Sequence, residues 1–448
     1  MLNEMNYQAQ HLFNEEAKKL YGKDIFLGTH HTFSGMAIDL RCGCLDYFKL
    51  GRLLTAAFTD TGWDVTPHSE TVFHYALADS LRKELGKPAA YVNDWSRIPH
   101  VSWYDYYTRL KMLYRLDWRM ILLGRFAEGH PTFPWDRHWT CVGNNAGQLE
   151  SFGNFIKNGN NPQSEMAVWH SWESLACLEV SRLHHVRLWM TCNYNLSEEA
   201  LKCSRHFDYV SGQAIEEAET GKGMIHLPGG SYKRLMLPYA VVMTKAMWKK
   251  ILACVKAGVE IIFVGPPPLR LSDSGDDISA EFCKLCGVKG TDFGQYDSWL
   301  KAHKPVPGFG DWEPEKADFS FPIIPLAGAE TLPNDEGETI GVRNLSNRVT
   351  WLTSLDPREQ FFRHLARPES NCPYPEHYGH AYFRILSGGG SQEFILVCVS
   401  PLHERLHEKF AFKDMSFEIE GGSWALLKIA KGKIKATFTD NETRVLGL

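Results

Sequence analysis

The chain has 448 residues, enough for two to four domains at roughly 100–200 residues each. With 48 basic and 53 acidic side chains its formal charge is −5, so it lacks the overall basic excess of a nucleic-acid binder. A content of 44% hydrophobic and 23% charged residues excludes wholesale disorder, and the longest apolar stretch, 251–269, carries Lys256, Glu260 and three prolines and is too polar to span a bilayer.

Residues 4–21 read as a helix, with Leu12, Phe13, Ala17 and Leu20 at helical spacing. A strand at 24–28 follows and runs into Thr29-His30-His31-Thr32. A second apolar run, Leu53 to Phe58, ends in Asp60, Trp63 and Asp64. The spacing predicts a helix over 70–85, closed by Gly86, then a strand over 89–92 that ends in Asn93-Asp94-Trp95. Helix 103–117 leads to the run 120–123, whose end carries Arg125, Glu128 and His130. Four times the pattern is helix, apolar strand, then polar and aromatic residues at the strand's C-terminal end. Buried strands with helical crossovers imply a covered parallel sheet, and active groups at C-terminal strand ends are the habit of the (β/α)8 barrel. A full barrel takes ~250 residues, whereas only about four units precede Gly159.

From Ser164 a second α/β pattern begins. Strands are expected at 165–169, 207–210, 233–238 and 259–265, with a helix over 244–257. Later strands are expected at 340–343 and 349–352 and a helix at 357–366, while 290–339 is rich in Gly, Pro and acidic residues and reads as an irregular insertion. After Pro368 the pattern turns all-β: a hairpin over 382–399 around Gly388-Gly389-Gly390, and two strands over 417–429 around Gly421-Gly422. The expected fold class is α/β: a partial barrel over 1–160, a flavodoxin- or amidotransferase-like parallel domain over 161–368, and a small β-sandwich over 369–448.

The N-terminus has no basic region followed by an apolar run, so no signal peptide is expected and the reading is cytoplasmic. Eleven cysteines fit reduced thiols in that compartment, and neither Cys283-x-x-Cys286 nor Cys42-x-Cys44 has a partner pair at zinc-site spacing. No glycine-rich dinucleotide fingerprint and no Walker A motif occurs. No metal or cofactor is therefore expected, nor a nucleic-acid or membrane partner. Trp169-His170-Ser171-Trp172 follows a strand without the tight Gly-x-Ser-x-Gly elbow, so the middle domain reads as structural.

The most specific stretch is the middle one. It runs Gly159-Asn-Asn-Pro-Gln-Ser-Glu-Met-Ala-Val-Trp169, Phe207-Asp-Tyr-Val210, Tyr232-Lys-Arg-Leu-Met-Leu-Pro238 and Val255-Lys-Ala-Gly-Val-Glu-Ile-Ile-Phe-Val-Gly265. This order resembles clan-A-like glycoside hydrolases, such as family 42 β-galactosidases and the α-L-rhamnosidase-like families. In those proteins a barrel precedes an amidotransferase-like domain and a β-sandwich. The resemblance implies a carbohydrate substrate and cleavage of a glycosidic bond. It also implies that Arg125-Phe-Ala-Glu128-Gly-His130 follows the last barrel strand. Counting back makes Val92-Asn-Asp94-Trp95 strand seven, Phe58-Thr-Asp60 strand six and Gly28-Thr-His30-His31 strand five. Strand seven presents the nucleophilic carboxylate in such enzymes, a Glu there and Asp94 here, one methylene shorter. Strand four, which presents the general acid, would lie upstream of Met1.

Glycoside hydrolysis needs two carboxylates flanking the scissile bond. Asp94, Glu128, Asp60 and Asp64 sit at predicted strand ends and are the candidates. A flat indole face suits the C–H face of a pyranose, which nominates Trp63, Trp95 and Trp135, with Trp103 and Trp139 nearby. His30, His31 and His130 are candidate donors to sugar hydroxyls. The other reading is a non-catalytic or truncated half-barrel serving sugar binding or assembly. A half-barrel exposes two sheet edges, so a homo-oligomer through the half-barrel or the α/β domain is also expected.

Overall fold

A computed structural model describes residues 2–22, 25, 27, 46–62, 68–87, 90–95, 109–110, 112–114, 164, 166–177, 183–202, 206–290, 323–334, 336–353, 376–378, 380–387, 393–401, 404–412 and 415–447. It is a mixed α/β structure with one large, mainly parallel sheet and several smaller sheets. The predicted strand 120–123 and helix 357–366 lie outside the described residues, as does most of helix 103–117.

In the N-terminal part, helix Leu2–Tyr21 precedes helix Tyr47–Gly51, strand Ala57–Gly62, helix His68–Glu84 and strand Ala90–Trp95. The two strands pair in parallel, Ala57 opposite Ala90 through Gly62 opposite Trp95. The first strand begins four residues later than the hydrophobic run suggests, because Leu53 and Leu54 belong to the turn that closes helix Tyr47–Gly51. Residues 25 and 27 run beside its start: the Thr55 amide donates to the Leu27 carbonyl at 2.9 Å, and the Leu27 amide donates to Thr55 Oγ1 at 2.8 Å. Strands Ala57–Gly62 and Ala90–Trp95 with helix His68–Glu84 between them form one parallel β/α/β unit.

The large sheet has seven strands. Five are parallel: Met166–Trp169, Phe207–Val210, Arg234–Pro238, Glu260–Val264 and Val349–Leu352. Numbered by sequence, their spatial order is 2-1-3-4-5, the doubly wound order of flavodoxin-like sheets. Thr339–Asn344 and Ala329–Pro333 extend it antiparallel. These two strands shorten the expected irregular insertion, since its last residues, from Ala329 on, form a strand pair instead. Among the elements that the sequence reading did not anticipate are helix Leu183–Lys202 and a three-stranded meander over 219–232. The C-terminal residues form two four-stranded antiparallel sheets. Phe383, Leu396 and Leu427 from one sheet share a core with Phe410, Phe417 and Ile419 from the other.

Helix His68–Glu84 joins these parts. Val72, Phe73, Tyr75, Leu77, Ala78 and Leu81 are all fully buried, and so are Thr71, His74, Asp79 and Ser80, so the helix is buried nearly all round and sits inside the molecule. It covers the open edge of the sheet at Phe207–Val210. The Tyr209 amide donates to Ser80 Oγ at 2.9 Å and the Ser211 amide to Glu84 Oε2 at 2.9 Å. Four residues of helix rise about 6 Å and two residues of strand about 6.6 Å, so an i,i+4 pair of acceptors matches alternate edge amides.

Beside these bonds lies a buried charge cluster. Asp79 accepts from Arg82 at 2.7 Å and from Arg384 Nη1, of strand Tyr382–Ser387, at 3.1 Å, with Lys83 Nζ 3.6 Å away. Lys83 also bonds Asp208 of strand Phe207–Val210, which accepts from Tyr232 Oη at 2.9 Å. Arg384 further donates to the Leu113 carbonyl at 3.2 Å and lies over the Tyr114 ring. Burial alone would raise the Asp79 pKa, but Lys83, Arg82 and Arg384 outweigh it and hold the carboxyl well below its ordinary range. Its contribution to stability is therefore complete above about pH 4 and lost only as the pH falls further.

Removing Asp79 leaves Arg384 and Lys83 short of a buried counter-charge. Asp79→Ala is expected to destabilise the fold by about 3–5 kcal/mol in urea unfolding. A change within 0.5 kcal/mol or so would show that the cluster contributes nothing.

Candidate functional site

The N-terminal ladder places its polar residues at one end. Asp60 stands opposite Asn93, Thr61 opposite Asp94 and Gly62 opposite Trp95, so the carboxyl ends of the two strands finish together. Successive strand residues alternate between faces. Asp60 and Asp94 are one step out of register and therefore belong to opposite faces of the pair. His30, His31, Trp63, Asp64, Glu128, His130 and Trp135 lie outside the described residues, as do Trp103 and Trp139.

A second concentration of polar groups, which the sequence reading did not single out as a site, lies at the carboxyl ends of Met166–Trp169 and Phe207–Val210. The first of these strands flanks the switch point of the doubly wound order, where open α/β sheets ordinarily take ligands. The chain turns there through His170, Ser171 and Trp172 into helix Trp172–Cys177. Ser211 caps helix Gly212–Glu217 by accepting from the Ala214 amide at 3.0 Å, and its hydroxyl donates to Glu84 Oε1 at 2.6 Å. Glu84 is the last residue of its helix, where a carboxylate opposes the helix dipole. That placement is the signal in the sequence that Glu84 has a partner outside its own helix.

Burial pushes the Glu84 carboxyl up to about 7, with the two Ser211 bonds pulling it down and Asp46 adding a like charge. Burial likewise pushes Glu173 up to about 7, its own amide opposing and Asp46 and Glu216 adding to the rise. Asp46, cap of helix Tyr47–Gly51, is raised by burial despite the Lys49 amide. Glu173 packs against Gly212 so closely that a Cβ there would meet its Oε1 at 2.1 Å. Only glycine fits.

His170 is fully buried among Tyr47, Phe48, Phe73, Trp189 and Tyr209. Neither ring nitrogen has a hydrogen-bond partner among the described residues, and burial lowers its pKa to about 3. It is neutral at physiological pH. Ser171 is also fully buried, and its Oγ accepts from Trp189 Nε1 at 2.7 Å. A serine held this way, beside an imidazole that makes no bond to it, is not an activated nucleophile. Among the described residues no group of three or more His, Cys, Asp or Glu is arranged to hold a metal ion. Cys283 and Cys286 are buried in the apolar core, and burial raises the Cys286 thiol well above its usual pKa. No helix among the described residues is long and apolar enough to cross a membrane.

No protein-family model and no curated protein matches the chain. Solved structures do. A GH42 β-galactosidase from G. stearothermophilus is 11% identical, with 90% of this chain and 60% of that one covered and a TM-score of 0.57. A β-galactosidase from the Antarctic haloarchaeon Halorubrum lacusprofundi is 14% identical over 100% of this chain and 67% of that one, with a TM-score of 0.61. An α-L-fucosidase isoenzyme 2 from Paenibacillus thiaminolyticus is 11% identical over 98% of this chain and 70% of that one, at 0.55. The chain thus has a glycoside hydrolase-like fold. It spans 60–65% of the length of four of the β-galactosidases, so part of their barrel-containing architecture has no counterpart here.

The raised pKa of Glu173 means that the folded chain holds a proton the unfolded chain gives up between about pH 4.3 and 7. Stability from this group therefore falls as the pH rises through that window and is flat above it. Glu173→Gln is expected to gain about 1–3 kcal/mol at pH 8 in urea unfolding and to flatten the profile below pH 7. An unchanged profile would contradict the assignment.

Proposed function

We propose that the chain is a carbohydrate-active protein acting on a glycosidic bond, with its site at the carboxyl ends of the N-terminal barrel strands. The observation that carries this reading is the parallel ladder, which brings Asp60, Asn93, Asp94 and Trp95 to one end of a glycoside hydrolase-like fold. The reading takes the chain as a barrel part over 1–160, an amidotransferase-like domain over 161–368 and a β-sandwich over 369–448.

In this reading Asp94 is the nucleophile and Glu128 the proton donor, with Asp64 in that role if Glu128 is too distant, since Asp60 is one register step from Asp94 and on the other face of the ladder. Trp63, Trp95 and Trp135 stack on the sugar ring, while His30, His31 and His130 donate to its hydroxyls. The donor protonates the leaving oxygen, and Asp94 attacks the anomeric carbon or activates water. Retention requires ~5–5.5 Å between the carboxyls and inversion ~6.5–9.5 Å. The backbone register thus calls for a partner carboxylate from another strand end. The middle sheet serves as a frame: its own carboxylates and aromatic rings fill the carboxyl end of its first two strands.

A second reading is favoured by the chain's span of 60–65% of the β-galactosidases' length: a half-barrel that binds sugar or assembles without hydrolysis. A panel of aryl glycosides separates the two. Hydrolysis by the wild type, lowered 10³-fold or more in Asp94→Asn, is expected. Equal activity in the variant removes Asp94 from the reaction. No hydrolysis of any member favours the binding reading.

A further inference from the structure

The hairpin of strands Trp424–Ala430 and Lys433–Thr439 ends in a cationic tip. Residues 421–439 hold four lysines, Lys428, Lys431, Lys433 and Lys435, and no carboxylate, in a chain whose formal charge is −5. All four are exposed, and none of them forms an ion pair among the described residues. The acidic groups that follow along the chain are occupied. Asp440 accepts from the Ser423 hydroxyl at 2.8 Å and the Thr443 hydroxyl at 2.6 Å, and Glu442 pairs with Arg405 at 3.2 Å. Glu393 stands opposite Ala430, which stands opposite Lys433, so two strand spacings of about 4.8 Å each separate it from that lysine.

The register places the charges. Trp424 and Leu426 are buried in the core that also holds Tyr75 and Leu113. Alternation puts Lys428 and Ala430 on that same face, and Lys433, paired with Ala430, joins them. Lys435 is the extra residue of the bulge beside Ile429, while Ile434 packs inward. Lys431, with a φ of 50°, and Gly432 make the two-residue turn. The sheet face is thus apolar where it is covered and cationic where it emerges. Lysine on an edge strand keeps foreign strands away. That role accounts for Lys433 and Lys435 on the edge strand, but not for Lys428 on the strand within or Lys431 in the turn. Four like charges this close repel one another, and an anion at the tip relieves the repulsion.

We infer that this hairpin tip is a docking surface for an anionic polysaccharide, a glycan bearing carboxylates or sulfates along its length. Compact, hydrated ammonium groups strung along one exposed edge act as point charges, without the planar fork with which arginine grips a single anion. They suit a chain of repeated negative charges. The choice of a glycan over another polyanion rests on the carbohydrate-active reading above, and the chain's overall negative charge is unlike that of a nucleic-acid binder.

The test is binding of the full chain to immobilised dextran sulfate and to polygalacturonate, against neutral dextran. The wild type is expected to bind at least one of the polyanions at about 0.1 M salt, to leave it at about 1 M, where charges are screened beyond ~3 Å, and to ignore neutral dextran. Lys428→Gln with Lys431→Gln, and separately Lys433→Gln with Lys435→Gln, are each expected to weaken binding about tenfold with unchanged far-UV circular dichroism. Lys222→Gln with Lys256→Gln removes the same charge from exposed sites in the parallel-sheet part and is expected to change nothing. A wild type that binds neither polyanion overturns the inference. So does binding that is unaltered in both hairpin variants or lost equally in the Lys222, Lys256 control, and so does tighter binding to duplex DNA or to phosphatidylserine vesicles. Binding is read without catalysis: a chain that cleaves no glycoside and passes this test leaves the inference standing, and a hydrolase that fails it sinks the inference alone.

Discussion

The structure depends on how one buried helix satisfies both an edge strand and a set of charges. Within six residues, helix His68–Glu84 presents Ser80 and Glu84 to the edge amides of Tyr209 and Ser211, and Asp79 and Lys83 to the Arg384–Asp208 cluster. An edge strand covered this way cannot recruit a foreign chain. A buried carboxylate with three cationic neighbours cannot lose one of them cheaply. The helix, the edge of the parallel sheet and strand Tyr382–Ser387 are therefore fixed to one another, and the strand ends near them inherit that rigidity.

That constraint also decides what the middle sheet can do. The switch point of a doubly wound sheet is an inviting place for an anion, since helix N-termini and open loops converge there. Here the chain's own carboxylates crowd the neighbouring ground, on the side of the edge strand Phe207–Val210: Glu84 on Ser211 and Glu173 against Gly212, with Asp46 adding like charge to both. The proposed site sits instead at the N-terminal strands, whose polar residues gather at one end of a parallel ladder.

Much of the large sheet is legible in the sequence because its strands are short continuous apolar runs between clear breakers, as with 259–265 between Gly258 and Gly265. Helix Leu183–Lys202 is harder, since Asn193 and Ser197 are buried on its inner face and interrupt the apolar period. The meander over 219–232 is short and half polar. Long-range contacts leave no local trace: Asp79 and Arg384 stand 305 positions apart. At the candidate site the types of residue are legible, because acidic and indole side chains cluster after apolar runs. Their facing is not, because a one-residue difference in register moves Asp60 and Asp94 to opposite faces.

Scanning calorimetry of the wild-type chain tests the central claim most directly. If helix His68–Glu84 and its charges fasten the N-terminal part, the parallel sheet and the C-terminal sheets into one body, the chain melts in a single transition with equal calorimetric and van't Hoff enthalpies. Separate melting of the C-terminal sheets, ahead of or after the rest, would contradict it.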